Sequence, residues 1–341
     1  MKVAWLCQTT GVHESRFIRA FKHLGHSVVC LQWSLAKDNP SSLANCFDGI
    51  GPDIVIGGPL HIGAEYFEII EDLPFVALSY AYDILLEAGT SQHADFSVRS
   101  ALERCCGLVV DCQAVLDTAS NMMGGRLPPH IVRPWGLEQN SMPPHENLDN
   151  VNFIFQRLRN NSVKRVIICT RGWNSIHGTM HVLDAFLELR EHIDDIGLVL
   201  AGDGPLRNAF EERIARAHAE KSVVLAGKLT ETEVSECLTR SDLFVGASAI
   251  DGSSVSLLQA LNASLPVVVP HVGGNPEWAA IADGVMTFNP VTASTLANVI
   301  AAALERSVGK SFNRSKILAE KCDWRRNSED IASFCQILIG R

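Results

Sequence analysis

Twelve short apolar runs, separated by segments of helix length, constrain this chain more than any other feature. In the first half they fall at residues 2–6, 28–33, 54–57, 75–79, 108–111 and 131–134. In the second half they fall at 165–170, 197–201, 223–226, 243–246, 266–270 and 285–288. Each is rich in Val and Ile, apolar at consecutive rather than alternate positions, and bounded by turn residues. A strand with no polar face must be covered on both sides, and helix-length connections favour parallel pairing. The pattern predicts an α/β protein of two doubly wound parallel sheets. A length of 341 residues suits two such domains. The clearest break is 139–150, which is polar, contains Pro143-Pro144 and lacks periodicity. We therefore expect one domain over 1–150 and a second over 151–323, with a cleft between the carboxyl ends of their strands. The final helix, about 324–341, carries Ile331, Phe334, Cys335, Leu338 and Ile339 as an apolar stripe.

Composition removes several classes of function. The net charge is −9 and the Lys and Arg residues are scattered, so no basic face for nucleic acid is expected. The ten cysteines are dispersed, without a CxxC pair or the Cys/His spacing of a zinc site. Reduced thiols in a cytoplasmic protein are the expectation. The opening KVAWLC runs straight into polar residues, unlike a signal h-region, and no apolar run approaches the ~20 residues of a membrane span. The loop after the first strand, Gln8-Thr9-Thr10-Gly11, lacks the G-x-G-x-x-G of a dinucleotide fold, which counts against a dehydrogenase.

Chemistry concentrates in residues 247–278. A strand ending near Gly246 runs into Asp251-Gly252-Ser253-Ser254, and a helical segment follows over 255–263, with Leu257, Leu258 and Leu261 as its apolar stripe. A Gly/Ser loop that opens a helix is an anion site, because unpaired N–H groups and the positive dipole end point at it. Asp251 stands at its mouth and Gln259 eight residues on. At the helical rise these are ~12 Å apart along the axis, the span of a sugar, a diphosphate and a ribose. An ordinary α/β connection carries the same residue types, so both readings stand at this point.

The stretch resembles the signature of family 4 of the retaining glycosyltransferases: E-x7-E, then a GxPVV strand and a GGxxE turn. It is most similar to a variant that begins S-x-x-D-G-[ST]-S and ends N-x-E-W. Ser248, Asp251, Gly252, Ser253, Ser254, Asn275, Glu277 and Trp278 match it, whereas Gln259 replaces the second acid. Several further segments resemble the family. Arg171 and His177 in TRGWNSIHG look like its R-x-x-x-P-x-Y-G pattern, with no lysine at the cation position. Gly202-Asp203-Gly204-Pro205 matches a G-D-G-P turn, and Gly227-Lys228-Leu229 ends a strand where relatives hold the base through backbone atoms. Asp83, in Ser79-Tyr80-Ala81-Tyr82-Asp83, matches the acid of W-G-S-D, although a helix cap is an equal reading. Pro134-Trp135-Gly136-Leu137-Glu138 resembles P-x-G-[VI]-D.

The resemblance implies the GT-B architecture and transfer, with retention, from a nucleotide-sugar donor to a saccharide or glycolipid acceptor. It implies no cofactor and no metal, in keeping with the lack of a convincing D-x-D. Catalytic roles would fall to Arg171, Asp251 and Asp83. Donor contacts would fall to Gly11, His177, Gly202, Lys228, Gly252, Ser253, Ser254 and Gln259. Arg171 suits a diphosphate because its fork grips two oxygens at once. In relatives the last helix crosses back onto the first domain. Arg16, Arg19, Lys22 and His23 give the first helix a basic face. Some relatives dock such a face weakly on the inner surface of the membrane, and simple solvation is the other reading. Gln259 and the missing lysine motivate one rival, a non-catalytic sugar-nucleotide or glycan binder or accessory subunit, and a second rival is another GT-B chemistry such as a sugar phosphorylase or nucleotide-sugar epimerase.

Overall fold

A computed structural model describes residues 1–8, 10–33, 40–62, 69–70, 72–138, 148–305 and 312–340, with backbone alone at 12, 40, 62 and 312–315. The chain divides into two compact units, Met1–Glu138 with Lys321–Arg341, and Gln139–Glu320. Thr9 and residues 139–147 of the expected linker lie outside the described residues. Asp149 and Asn150, placed in that linker by the sequence, already belong to the helix Asp149–Asn160, which buries Val151, Ile154, Phe155 and Leu158.

Each unit contains one six-stranded parallel sheet. In the first, β1 (Lys2–Cys7), β2 (Ser27–Gln32), β3 (Ile54–Gly58), β4 (Phe75–Leu78), β5 (Gly107–Val110) and β6 (His130–Val132) lie in the order β2-β1-β3-β4-β5-β6. In the second, β7 (Arg165–Cys169), β8 (Ile196–Ala201), β9 (Val223–Gly227), β10 (Leu243–Val245), β11 (Val267–Pro270) and β12 (Val285–Phe288) lie in the order β12-β11-β10-β7-β8-β9. The apolar runs become strands because helices cover both faces: β3, β4, β5, β8 and β11 are buried along almost their whole length. Strand order reverses between β1 and β3 in one sheet and between β7 and β10 in the other. Open α/β sheets leave a crevice at the carboxyl ends of such strand pairs.

The first helix, Val12–His23, corrects one sequence expectation. Phe17 and Phe21 are buried against Trp5, and Leu24 is exposed at the helix end. Arg16 does not share a basic surface with Arg19, Lys22 and His23. It is buried, donates from Nε to Glu138 Oε1 at 3.1 Å and to the Gly136 carbonyl, and lies 4.3 Å from the centre of the Trp324 ring. Helical spacing places residue 16 beside 17, and only the distant Glu138 turns that position into an internal ion pair.

The final helix, Trp324–Ile339, packs within the first unit. Trp324 meets Phe17 edge to face at 4.8 Å, and Leu338 and Phe334 cover Gly107 so closely that a Cβ there would lie 2.4 Å from Leu338. The two points where the chain passes between units are bonded to each other. Leu137 N–H donates to the Cys322 carbonyl (2.7 Å), and Trp324 N–H donates to the Leu137 carbonyl (3.1 Å). Gly136 allows this approach at φ +70°, where a Cβ would sit 2.6 Å from the Cys322 oxygen. Among the described residues, no helix is long and apolar enough to cross a membrane.

Candidate functional site

The reversal between β7 and β10 brings three loops of the second unit together. β7 continues into Arg171–Gly178, β10 into Ala247–Ser254, and β11 into the Gly273-Gly274 turn. Main-chain bonds knit them: Ala249 N–H donates to the Ile176 carbonyl (2.8 Å) and Gly274 N–H to the Asp251 carbonyl (3.2 Å). Trp278 Nε1 adds a bond to Ser253 Oγ at 3.1 Å. Gly178 closes the first loop at φ +58°, pressed so tightly that a Cβ would lie 2.0 Å from the Ala247 oxygen. No residue but glycine fits both that angle and that contact.

Arg171 is the centre of the arrangement. Its Nη2 pairs with Asp251 Oδ2 at 3.1 Å and faces His177 Nδ1 at 3.3 Å, while Nη1 donates to Ser254 Oγ at 3.2 Å. Arg171 and Asp251 expose only 15% and 16% of their side chains, so water screens the pair weakly. Burial raises the Asp251 carboxyl above its ordinary range, and Arg171 and Ser254 pull it back down. Burial, and then the Arg171 charge, lower His177 to about 4. His177 is therefore neutral near pH 7, with Nδ1 accepting from the guanidinium. Ser254 caps the helix Val255–Asn262, and its Oγ also accepts from Leu257 N–H. That helix begins four residues after Asp251, so the helical rise spans only part of the way from Asp251 to Gln259. Gln259 is half-buried on its second turn.

The neighbouring turns complete this edge of the sheet. Gly202 N–H is committed to the Gly227 carbonyl at 2.8 Å, so it is not free to meet a ligand. A Cβ on Gly202 or Gly204 would strike the carbonyl oxygens of Arg171 (2.4 Å) or Trp173 (2.3 Å). These glycines seat one loop on the other. Lys228 is exposed beside them. Sequence reasoning missed Trp173 and Arg207: the fully buried indole lies 4.8 Å beneath the Arg207 guanidinium, which also pairs with Asp203. A tryptophan two residues past the key arginine was visible, but its role depends on contacts thirty or more positions away.

Buried side-chain polar atoms without a partner are not spread evenly. Among the described residues of the second unit they are Thr170 Oγ1, Arg171 Nε, Trp173 Nε1 and Asn275 Oδ1. Thr170, Arg171 and Trp173 follow β7, and Asn275 opens the helix Asn275–Ile281 after β11. Buried polar groups are ordinarily paired, and those that are not are completed by ordered water, by a ligand or by a local shift.

The first unit has its own carboxyl edge, and two expected site residues are committed there. Gly11 N–H is bonded to Glu14 Oε2 (3.0 Å) at the start of the helix Val12–His23, one half of a capping box, since glycine has no side chain to return the bond. A carboxylate thus occupies the place where a close approach to phosphate was expected, and the signal for it was the Gly-x-x-Glu spacing itself. Asp83 is fully buried. Its Oδ1 accepts from Ser79 Oγ (2.6 Å) and Ile84 N–H (3.0 Å), and its Oδ2 accepts from Leu60 N–H (2.9 Å). Asp83 braces the loops after β3 and β4 and presents no surface to an acceptor in this structure. Burial raises its carboxyl above the usual range against those three bonds.

Two parallel-sheet units of this kind define the GT-B class, and solved GT-B structures superpose on the chain. HepE from Anabaena in complex with UDP and glucose matches with a TM-score of 0.77 at 18% identity, covering 98% of this chain and 99% of that one. Sucrose-phosphate synthase from Thermosynechococcus elongatus gives 0.77 at 11% identity, with 100% of both chains covered. The sequence profile of the family "Glycosyl transferases group 1" matches residues 150–321, just over half of the chain. The chain belongs to that family. Alpha-monoglucosyldiacylglycerol synthase of Streptococcus pneumoniae is 32% identical over 95 residues, 28% of this chain and 21% of that protein. N-acetyl-alpha-D-glucosaminyl L-malate synthase of Bacillus anthracis is 28% identical over 114 residues, 33% of this chain and 29% of that protein. The matched regions thus span between a fifth and a third of these relatives.

Proposed function

We propose that this group 1 glycosyltransferase moves a sugar from a nucleotide-diphosphate donor to a hydroxyl of a saccharide or glycolipid acceptor, with retention and without a divalent metal. One observation carries the reading. An arginine fork whose Nε is buried without a partner meets a helix N-terminus at the switch point of one sheet. A ligand that is anionic in the middle and rich in hydroxyls at its ends suits such a place. The diphosphate would take Arg171, His177 and the amides of Gly252 to Ser254. The sugar would take Asp251, the ribose Gln259, and the base the backbone near Gly202 and Lys228.

The chemistry follows from charge. As the bond from the anomeric carbon to the diphosphate breaks, negative charge grows on the leaving oxygen, and fixed cations and N–H groups stabilise it there. The acceptor oxygen forms its bond on the same face, and its proton passes to the leaving phosphate. Asp83 is walled in, so the acceptor side of the first unit has to be built around the loop near Gly11 without it.

Turnover decides the matter. Nucleotide sugars of the uridine, guanosine and adenosine series are incubated with saccharide and glycolipid acceptors in excess EDTA. Nucleoside diphosphate release and a product of unchanged anomeric configuration are expected. Activity lost in EDTA and restored by magnesium or manganese removes the metal-independent part of the proposal. An inverted product removes retention. Binding without turnover of any donor favours the sugar-nucleotide binding subunit, a reading that Asp251 already supports by neutralising Arg171 in the free protein.

A further inference from the structure

We infer that His177 is a switchable cation: the neutral imidazole accepts from Arg171 in the free protein, and it takes up one proton when a sugar-nucleotide diphosphate binds. This inference rests on the donor-site reading above and adds to it the means by which the site compensates for its missing lysine.

His177 Nδ1 stands 3.3 Å from Arg171 Nη2, a distance at which the guanidinium donates and the ring nitrogen must offer its lone pair. An imidazolium in that position would set two cations side by side in a half-buried loop. Burial and Arg171 therefore hold the ring neutral down to about 4. The surroundings fix the ring in place. His177 N–H donates to Asn174 Oδ1 (3.0 Å), Gly172 packs against the ring edge, and Gly178 pins the next residue to Ala247. Arg171, from the loop after β7, is the charged group acting on the ring, and Asp251, from the loop after β10, reaches it through the same guanidinium. The turn after β8, which is bonded to the same loop through Trp173 N–H and the Asp203 carbonyl (3.0 Å), carries Asp203 and Arg207, and these two charges pair with each other.

A diphosphate reverses the sign of this field. Two negative charges at Arg171 occupy the donor directions now used by Asp251 and His177, and they place anionic oxygens beside the ring. The repulsion that kept the proton off becomes an attraction that holds it, and Nδ1 changes from acceptor to donor. The site thus carries one cation when empty and two when filled. The sign of the linkage is fixed. The bound state holds more protons than the free state, so donor affinity rises as pH falls from the bound-state value toward about 4. With one proton taken up, affinity changes by at most about tenfold per pH unit.

The test is calorimetric titration of the full chain with UDP-glucose, GDP-mannose and ADP-glucose at pH 5.5, 6.5 and 8, each in two buffers of different ionisation enthalpy. In these diesters the diphosphate has no titration in that range, so any proton taken up belongs to the protein. We expect the donor that binds to take up close to one proton at the lowest pH and almost none at pH 8, with Kd tightening in parallel. His177→Asn keeps an oxygen acceptor for Arg171 but cannot be protonated, and it should bind with no uptake and a Kd that is flat with pH. Binding by the native chain without proton uptake overturns the inference and leaves the donor site standing. Equal uptake in the Asn variant also overturns it, assigning the proton to Asp251. If none of the three binds at any pH, both the donor-site reading and the inference fall.

Discussion

Arg171 is engaged on every side that is not waiting for a ligand, and this makes its replacement costly in two ways. Arg171→Ala removes the diphosphate's cation and leaves Asp251 buried without its partner. We expect kcat/KM to fall by ~3–4 kcal/mol of transition-state stabilisation, as for loss of one strong electrostatic donor. Arg171→Lys should recover only part of this, since a point charge cannot serve Asp251, Ser254 and a phosphate together. Steady-state kinetics with the turned-over donor checks both, and near-native kcat/KM in the alanine variant would place the site elsewhere. Gln259 offers the opposite experiment, because the resembled family carries an acid there. Charge-assisted hydrogen bonds are worth about 1.5–3 kcal/mol against ~0.5–1.5 for neutral ones. Gln259→Glu should therefore tighten the nucleoside diphosphate roughly five- to tenfold. Unchanged or weaker binding by calorimetry would show that the residue does not face a ribose.

At the scale of elements, the strands were legible because burial on both faces leaves a continuous apolar run that survives any helix arrangement around it. β12 begins and ends where the sequence placed it, and the other strands differ by no more than a residue or two at each end. The start of the helix Val255–Asn262 was equally legible, since a Ser at the N-cap followed by an apolar stripe is a local signal. Pairings across long sequence separation were not. Nothing near Arg16 announces Glu138, nothing near Asp83 announces Leu60 N–H, and nothing near Asp251 announces that Arg171 sits against it. In each case the partner of a charged side chain arrives only through the fold, so even the cap reading of Asp83 gave no hint of the loop after β3. The loop that carries His177 gives a test at this scale. Gly178→Ala forces a β-carbon into the Ala247 carbonyl at a left-handed backbone angle. Strain of this kind costs about 1–3 kcal/mol before the clash is counted. Lower thermal stability together with loss of nucleotide binding is expected, and a fully stable variant would mean that the loops are not locked as described.

For the whole molecule, the division of the chain matters more than its length. The second unit is one continuous segment, Gln139–Glu320, whereas the first is assembled from both ends of the described chain. Trp324 shows what the returning segment contributes, meeting Phe17 edge to face and lying under Arg16. Trp324→Ala should cost ~3–5 kcal/mol, the range for emptying a buried aromatic site. Chemical unfolding followed by probes in each unit should show the loss in the first unit only. The same arrangement sets an order of events during synthesis. Domains usually fold as they leave the ribosome, the amino-terminal one first. Here that order is inverted, because β1 to β6 wait for a helix that emerges after the whole of the other sheet. A nascent chain stalled with residues 1–320 clear of the ribosomal tunnel, on an added tether, should hold a protease-resistant second unit beside a first unit that is still open to cleavage.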